Sequence, residues 1–110
     1  MQVNSITPQN FNGAVIIPKG IRSQLELDLI GILRKNNQKI TTVPDLISKL
    51  ATPGNNMNLR VTNKDGIITP RSLADFDVYI ENGATHIPKK VENGTSLAEK
   101  FLNGLYEITK

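Results

Sequence analysis

The sequence predicts a small single α+β domain in which an antiparallel sheet of about four strands carries helices on one face. Two stretches with apolar residues at helical spacing lie towards the ends of the chain, and segments that alternate apolar and polar residues occupy its middle. Turn signals rich in Asn and Gly separate these segments. At 110 residues we expect one domain, residues 14–110, preceded by an irregular N-terminal arm, residues 1–13.

The N-terminal arm is polar and contains Pro8, which favours irregular backbone. Its segments Met1–Ile6 and Asn10–Gly13 resemble the start of some small bacterial proteins. That resemblance covers the arm alone and implies no activity. We expect a bacterial or phage origin for the protein. The β-branched run Ala14–Ile17 follows, and it predicts either a short buried strand that ends at Pro18 or an extended entry into the next helix.

The segment 21–36 is the strongest helix signal in the chain, and we expect the other elements to pack on it. Ser23 and Glu26 have the spacing of a capping box, in which each side chain accepts a backbone N–H of the other residue. One helix face collects the apolar residues Leu25, Leu29, Ile32 and Leu33. We expect this helix to be the more buried of two main helices that share one face of the sheet.

Two further helices are predicted. A short helix spans 43–51, with Thr42 as its cap and Pro44 in its first turn, where the missing N–H has no helical partner in any case. The second main helix spans 96–108, and Ser96 with Glu99 forms a second capping box. Its apolar stripe contains Leu97, Phe101, Leu105 and Ile108.

The middle of the chain predicts two β-hairpins. Leu59–Thr62 and Ile67–Thr69 are the strands of the first, joined by a turn at 63–66. In the second, Phe76–Glu81 alternates cleanly, and Ala84–Ile87 returns after the two-residue turn Asn82-Gly83. Together they supply the four strands.

Composition and charge exclude several classes of function. The chain has no cysteine, which excludes disulfides, thiolate metal sites and a cysteine nucleophile. No apolar run approaches the length of a membrane span, and no secretory signal is visible, so we expect a soluble cytoplasmic protein. No nucleotide-binding glycine motif occurs, and we expect no cofactor.

The net charge of +3 is mild, and the basic residues are interspersed with acidic ones. The closest approaches to basic clusters are Arg34, Lys35 and Lys39, and the pair Lys89-Lys90. These are typical of a solvated surface. A weak nucleic-acid-binding domain is therefore the third of three candidate functions.

A small hydrolase-like or metal-dependent enzyme is the second candidate. Asp75 and Asp77 lie close enough in sequence to share a hard cation, and His86 is the single histidine. No nucleophile-elbow pattern accompanies His86, and no set of catalytic residues converges, so we assign no catalytic or metal-binding residue.

The first candidate is a non-enzymatic protein-binding or adaptor module. Tyr79 falls on the opposite strand face from Phe76, between Asp77 and Glu81, and an aromatic residue on an outer sheet face suggests a contact surface. We assign Tyr79, Asp77 and Glu81 to partner binding. A homodimer could form through an edge strand, either Ile67–Thr69 or Ala84–Ile87.

Overall fold

Four strands form one sheet in the order β1-β2-β3-β4 in the computed structural model, which describes residues 14–52, 54–83 and 87–110. The strands are β1 (Val15–Ile16), β2 (Met57–Asn63), β3 (Phe76–Asn82) and β4 (Lys89–Lys90). The pairs β2–β3 and β3–β4 are antiparallel. The N-terminal arm 1–13 and His86 lie outside the described residues.

Three α-helices complete the described fold: α1 (Arg22–Lys35), α2 (Thr42–Leu50) and α3 (Leu97–Ile108). The sequence prediction of one α+β domain is confirmed. The prediction of a wholly antiparallel sheet is wrong at one edge, because β1 pairs with β2 in parallel. Parallel neighbours need a crossover connection, and α1 and α2 provide it between these two strands.

Helix α3, and not the helix at 21–36, organises the core. It contacts β2 and β3 on one side and α1 and α2 on the other. Leu59 of β2, Val78 of β3 and Phe101 of α3 are almost completely buried where these elements meet, and burying each such side chain contributes about 1.5–3 kcal/mol. Six residues of α3 are buried against three of α1, so the expectation that the first helix is the more buried is wrong.

The helix starts also differ from the prediction. A 3₁₀ turn at Lys19–Ile21 leads directly into α1, so Ser23 lies inside the first turn and the expected capping box with Glu26 does not form. At α3, Ser96 is the N-cap, and its hydroxyl accepts the backbone N–H of Glu99 at 3.2 Å. The predicted hydrogen bond from the Glu99 N–H to the Ser96 hydroxyl is therefore confirmed.

The first predicted hairpin has the wrong partner strand. Asn63 pairs with Phe76, so β2 returns as β3 after a loop at 64–75, and Ile67–Thr69 lies in that loop. The Lys64 N–H donates to the Asp75 carbonyl at 2.8 Å and closes the loop. Ile68 is 91% exposed in this loop, so its apolar side chain is not part of the core.

The second predicted hairpin is confirmed in its antiparallel pairing of β3 with the next described strand, which is β4 at Lys89–Lys90. Pairing with β2 extends β3 through Asn82, and the Gly83 N–H donates to the Asn56 carbonyl at 3.0 Å. Asn82 is thus the last residue of β3 and Gly83 lies in a turn, and on its other side β3 pairs with β4, where Tyr79 lies opposite Lys90. Most of the predicted return strand, residues 84–86, lies outside the described residues.

Candidate functional site

The sheet has one face covered by helices and one face directed away from them. Leu59 and Val78 lie under α3, so alternation places their strand neighbours on the other face. We call this second surface the Tyr79 face. Its described residues are Ile16, Asn58, Arg60, Thr62, Asp77, Tyr79, Glu81 and Lys90.

Tyr79 lies at the centre of this face. The strand register places Arg60 of β2 opposite Tyr79, and Lys90 of β4 opposite its other side. Tyr79 is half-buried, while the side chains of Arg60 and Lys90 are 42% and 47% exposed. The half-buried Tyr79 ring therefore lies between two partly exposed cationic side chains.

Glu81 joins this row through an ion pair. Arg60 Nε donates to Glu81 Oε2 at 3.0 Å, across the diagonal between β2 and β3. Both side chains keep contact with solvent, so the pair adds at most about 1 kcal/mol of stability. Its structural effect is to hold the Arg60 side chain along the sheet.

Asp77 occupies a different environment from the other two assigned residues. It is only 2% exposed, with Lys90 Nζ at 3.3 Å from its Oδ2 and Lys100 Nζ at 3.8 Å from its Oδ1. Asp77 Oδ1 has no hydrogen-bond partner among the described residues. The bond from Lys90 to Asp77 raises the pKa of the Lys90 ammonium above 10.5. Asp77 thus links β3 to β4 and α3. The side chains of Lys90 and Lys100 shield it from solvent.

The carboxylates that suggested a cation site are engaged separately. Asp75 Oδ2 accepts the backbone N–H groups of Arg71 at 2.8 Å and Ser72 at 3.3 Å, and these bonds lower the pKa of Asp75 below 3.8. Asp77 faces Lys90 and Lys100 instead. Within residues 14–52, 54–83 and 87–110, no three His, Cys, Asp or Glu side chains are grouped as metal ligands.

The basic residues that suggested nucleic-acid binding form two groups, one on β4 that is paired with carboxylates and one that is exposed at the end of α1. Lys89 Nζ pairs with Glu107 Oε2 at 2.9 Å, and Lys90 pairs with Asp77. Both charges of β4 are therefore offset by neighbouring carboxylates. Arg34, Lys35 and Lys39 are exposed around the end of α1.

A polar cleft of about 790 Å³ lies where the end of α1, the loop before α3 and one face of α3 meet. Sequence reasoning missed it. Four of its ten described lining residues carry carboxamides, namely Asn36, Gln38, Asn93 and Asn103. The signal was present as a second stripe on the C-terminal helix, where Glu99, Asn103 and Tyr106 recur at helical spacing. We call this site the polar cleft.

Gly94 allows the loop to approach α3 closely. Its φ is +139°, and a Cβ at this position would lie 2.9 Å from the Lys100 backbone nitrogen and 3.0 Å from Glu99 Cβ. Thr95 donates its backbone N–H and its hydroxyl to Glu99 Oε1, both at 2.7 Å. These bonds lower the pKa of Glu99 below 4.5, with a smaller contribution from Lys35.

A second cavity, of about 450 Å³, lies between α1 and α2. Its lining is apolar and includes Ile30, Val43, Ile47 and the half-exposed Ile40. An accessible apolar groove of this kind is a common place for a protein partner to bind. This apolar groove is therefore an alternative partner-binding surface to the Tyr79 face, and an experiment can compare the two.

None of the helices in the described part of the chain has both the length and the apolar character needed to cross a bilayer. Comparison of the chain with protein-family models, curated proteins and solved structures found no match.

Proposed function

We propose that this protein is a non-enzymatic binding module that holds a protein partner on the Tyr79 face. The observation that carries the proposal is the cross-strand row Arg60–Tyr79–Lys90, which lies on the side of the sheet opposite to α3. Tyr and Arg are the residue types that most often dominate protein–protein binding energy. A central tyrosine between two long cationic side chains provides an anchor with a polar rim.

The ion pairs of the face support this proposal. Arg60 is held by Glu81, and Lys90 is held by Asp77, so the side chains around Tyr79 are ordered before a partner arrives. Side chains that are ordered in advance lose less conformational entropy on binding. Because each cation already has a carboxylate partner, the face favours a protein surface of mixed charge over a polyanion.

The structure gives less support to the metal-dependent enzyme than to a protein-binding module. The proposed enzyme needs Asp75 and Asp77 to act together, but backbone N–H groups engage one and lysines surround the other. A second copy of the chain is one form that the protein partner could take. The described edges through which it could pair are β1 and β4, each two residues long.

The test uses a photo-crosslinking residue, p-benzoylphenylalanine, introduced at position 79 and, in a matched variant, at the half-exposed Ile40 of the apolar groove. We expect one defined protein to be captured from the cells of origin at position 79 and not at position 40. The purified partner should then bind the wild-type protein, and Tyr79→Ala should weaken its Kd by at least about tenfold, or 1.4 kcal/mol.

Ile68→Ala is the control for the binding measurement, since Ile68 is 91% exposed in the loop at 64–75 and lies outside the Tyr79 face. It should leave the Kd unchanged. Capture at position 40 alone would assign partner binding to the apolar groove. Equal Kd values for the wild type and Tyr79→Ala would likewise contradict the proposal, as would the absence of any specific capture at position 79.

A further inference from the structure

The polar cleft has the size of a small-molecule site. Its volume of about 790 Å³ falls within the range that ligand pockets occupy. Three separate parts of the fold form its walls: the end of α1, the loop at 93–95 and the face of α3 that carries Glu99, Asn103 and Tyr106. The cleft shares no lining residue with the Tyr79 face, so any ligand bound here is independent of a partner bound there.

The polar groups of the cleft are held in place by one another. Gln38 Nε2 donates to the Tyr106 hydroxyl oxygen at 2.7 Å, which links the segment after α1 to α3. Asn103 Nδ2 donates to the Asn93 carbonyl at 2.8 Å, which links α3 to the loop before it. These bonds connect all three walls and orient the side chains without occupying all their hydrogen-bonding groups.

Several donors and acceptors remain available on the same side chains. Toward the described residues, Gln38 keeps its amide oxygen, Asn103 keeps Oδ1, and Tyr106 keeps its own hydroxyl proton. Glu99 uses Oε1 to accept from Thr95, which leaves Oε2 as an acceptor. The side-chain amides of Asn36 and Asn93 make no hydrogen bond within the described residues. The cleft therefore offers a dense mixture of donors and acceptors.

This mixture matches hydroxyl groups better than it matches charges. A hydroxyl both donates and accepts, and a carboxamide does the same through its two ends. Among the described residues no Lys or Arg lines the cleft, and Glu99 would repel a phosphate or a carboxylate. The apolar part of the lining, which includes Ile32, Leu102 and the half-buried ring of Tyr106, is nearly as large as the polar part. It can support the carbon face of a sugar ring, whereas a large apolar ligand would leave the amides unpaired.

From this arrangement we propose that the polar cleft is a binding site for a neutral polyhydroxylated ligand, of the class of a short oligosaccharide. The carboxamides of Gln38 and Asn103 and the Glu99 carboxylate bind its hydroxyl groups. The Tyr106 ring lies beside its carbon skeleton. Gly94 is essential to the shape of the site, since it allows the loop to lie against the first turn of α3.

Side-chain amide signals in NMR spectra of ¹⁵N-labelled protein provide the direct test. The probes are maltotriose, cellotriose and the trimer of N-acetylglucosamine, each titrated to about 10 mM, a concentration that detects even millimolar binding. We expect at least one of them to shift the amide signals of Gln38 and Asn103 in a saturable manner. The amide signals of Asn58 and Asn63, which lie on β2, should stay in place.

Two matched variants decide whether the cleft is responsible. Gln38→Ala should weaken binding of the active probe by about tenfold, because it removes one ligand contact and the bond that orients Tyr106. Gln24→Ala removes an exposed glutamine of α1 outside the cleft and should leave binding unchanged. Tyr106→Phe, which keeps the ring and removes the hydroxyl, should weaken binding less than Gln38→Ala.

Three results would overturn the proposal. The first is that none of the trisaccharides shifts the cleft amides at the highest concentration. The second is that Gln38→Ala binds the active probe as tightly as the wild type does. The third is that inorganic phosphate or adenosine monophosphate saturates the cleft signals while the saccharides do not, which would show that the site selects anions.

Discussion

Gly104 is the residue at which α3 comes closest to the sheet. A Cβ at this position would lie 2.7 Å from Leu59 Cδ1, 3.4 Å from Val91 Cγ2 and 3.7 Å from Val78 Cγ1. Glycine inside a helix normally costs about 1 kcal/mol relative to alanine. Here that cost is offset by the packing of α3 against Leu59 and Val78, which are both completely buried.

Gly104→Ala should therefore destabilise the protein. Overpacking a filled core costs about 1–3 kcal/mol and exceeds the gain in helix propensity, so we expect a net loss of about 1–2 kcal/mol in the free energy of unfolding. Gly31→Ala is the matched control, because Gly31 lies on the exposed side of α1 and its Cβ would meet nothing within 4 Å. It should stabilise the protein by about 0.4–1 kcal/mol. Urea denaturation measures both, and a stabilised Gly104→Ala would contradict the close approach.

Asp77 is the second residue whose environment decides its role. Asp77→Asn keeps the shape of the side chain and removes its charge, so the ammonium groups of Lys90 and Lys100 lose their buried partner. We expect the free energy of unfolding to fall by about 1.5–3 kcal/mol, which is the usual contribution of a hydrogen bond to a charged group. Thermal denaturation followed by circular dichroism measures the change.

The control for Asp77→Asn is Asp65→Asn, which makes the same chemical change at an exposed position in the loop at 64–75. Its effect should stay within about 0.5 kcal/mol. If the two variants lose equal stability, the buried ion pairs of Asp77 contribute nothing specific to the fold.

At the scale of elements, the first turn of α3 is held by two different side chains. Ser96 accepts the Glu99 N–H as an ordinary N-cap. The Glu99 carboxylate reaches past Ser96 to Thr95, whose N–H and hydroxyl both donate to it. The loop at 93–95 and the helix thus depend on the ionised form of Glu99.

This dependence predicts a stability change in acid. The Thr95 N–H and hydroxyl lower the pKa of Glu99 in the folded protein below 4.5, while the unfolded chain keeps the ordinary value. A lowered folded pKa contributes stability above the ordinary pKa, and this contribution is lost as the pH falls through the lowered value. We expect Glu99→Gln to lower the Tm at pH 7 and to approach the wild-type Tm when both are measured well below pH 4.5.

Glu26→Gln serves as the control for the pH series, because Glu26 is exposed on α1 and accepts no hydrogen bond from another described residue. The Tm of Glu26→Gln should not approach the wild-type Tm in acid as the Tm of Glu99→Gln does. A difference between Glu99→Gln and the wild type that stays constant across the pH range would show that the Thr95 bonds do not depend on the charge of Glu99.

At the scale of the whole molecule, the two sides of the sheet differ in chemical character. The side that carries Leu59 and Val78 forms the core with α3, while the Tyr79 face carries polar and cationic side chains. The polar cleft lies on the helical side, between α1 and α3. The proposed protein partner and the proposed saccharide ligand therefore occupy different surfaces, and each can be tested without the other.

Local sequence patterns by themselves determined the α+β class, the three helices, the strands at the centre of the sheet and the Ser96 cap. Each depends on periodicity or on a contact within one helical turn, and alternation in Phe76–Glu81 correctly placed Tyr79 opposite the core. The partner-binding role of Tyr79, Asp77 and Glu81 remains a prediction.

Only the tertiary structure decided which elements meet. The parallel pairing of β1, the return of β2 as β3 and the position of α3 between the sheet and the other helices all join residues far apart in sequence. The burial of Asp77 by Lys100 of α3 and the joining of Gln38 to Tyr106 in the polar cleft have the same origin. Periodicity predicts which face of an element is apolar, but the partner of that face is selected by packing across the whole chain.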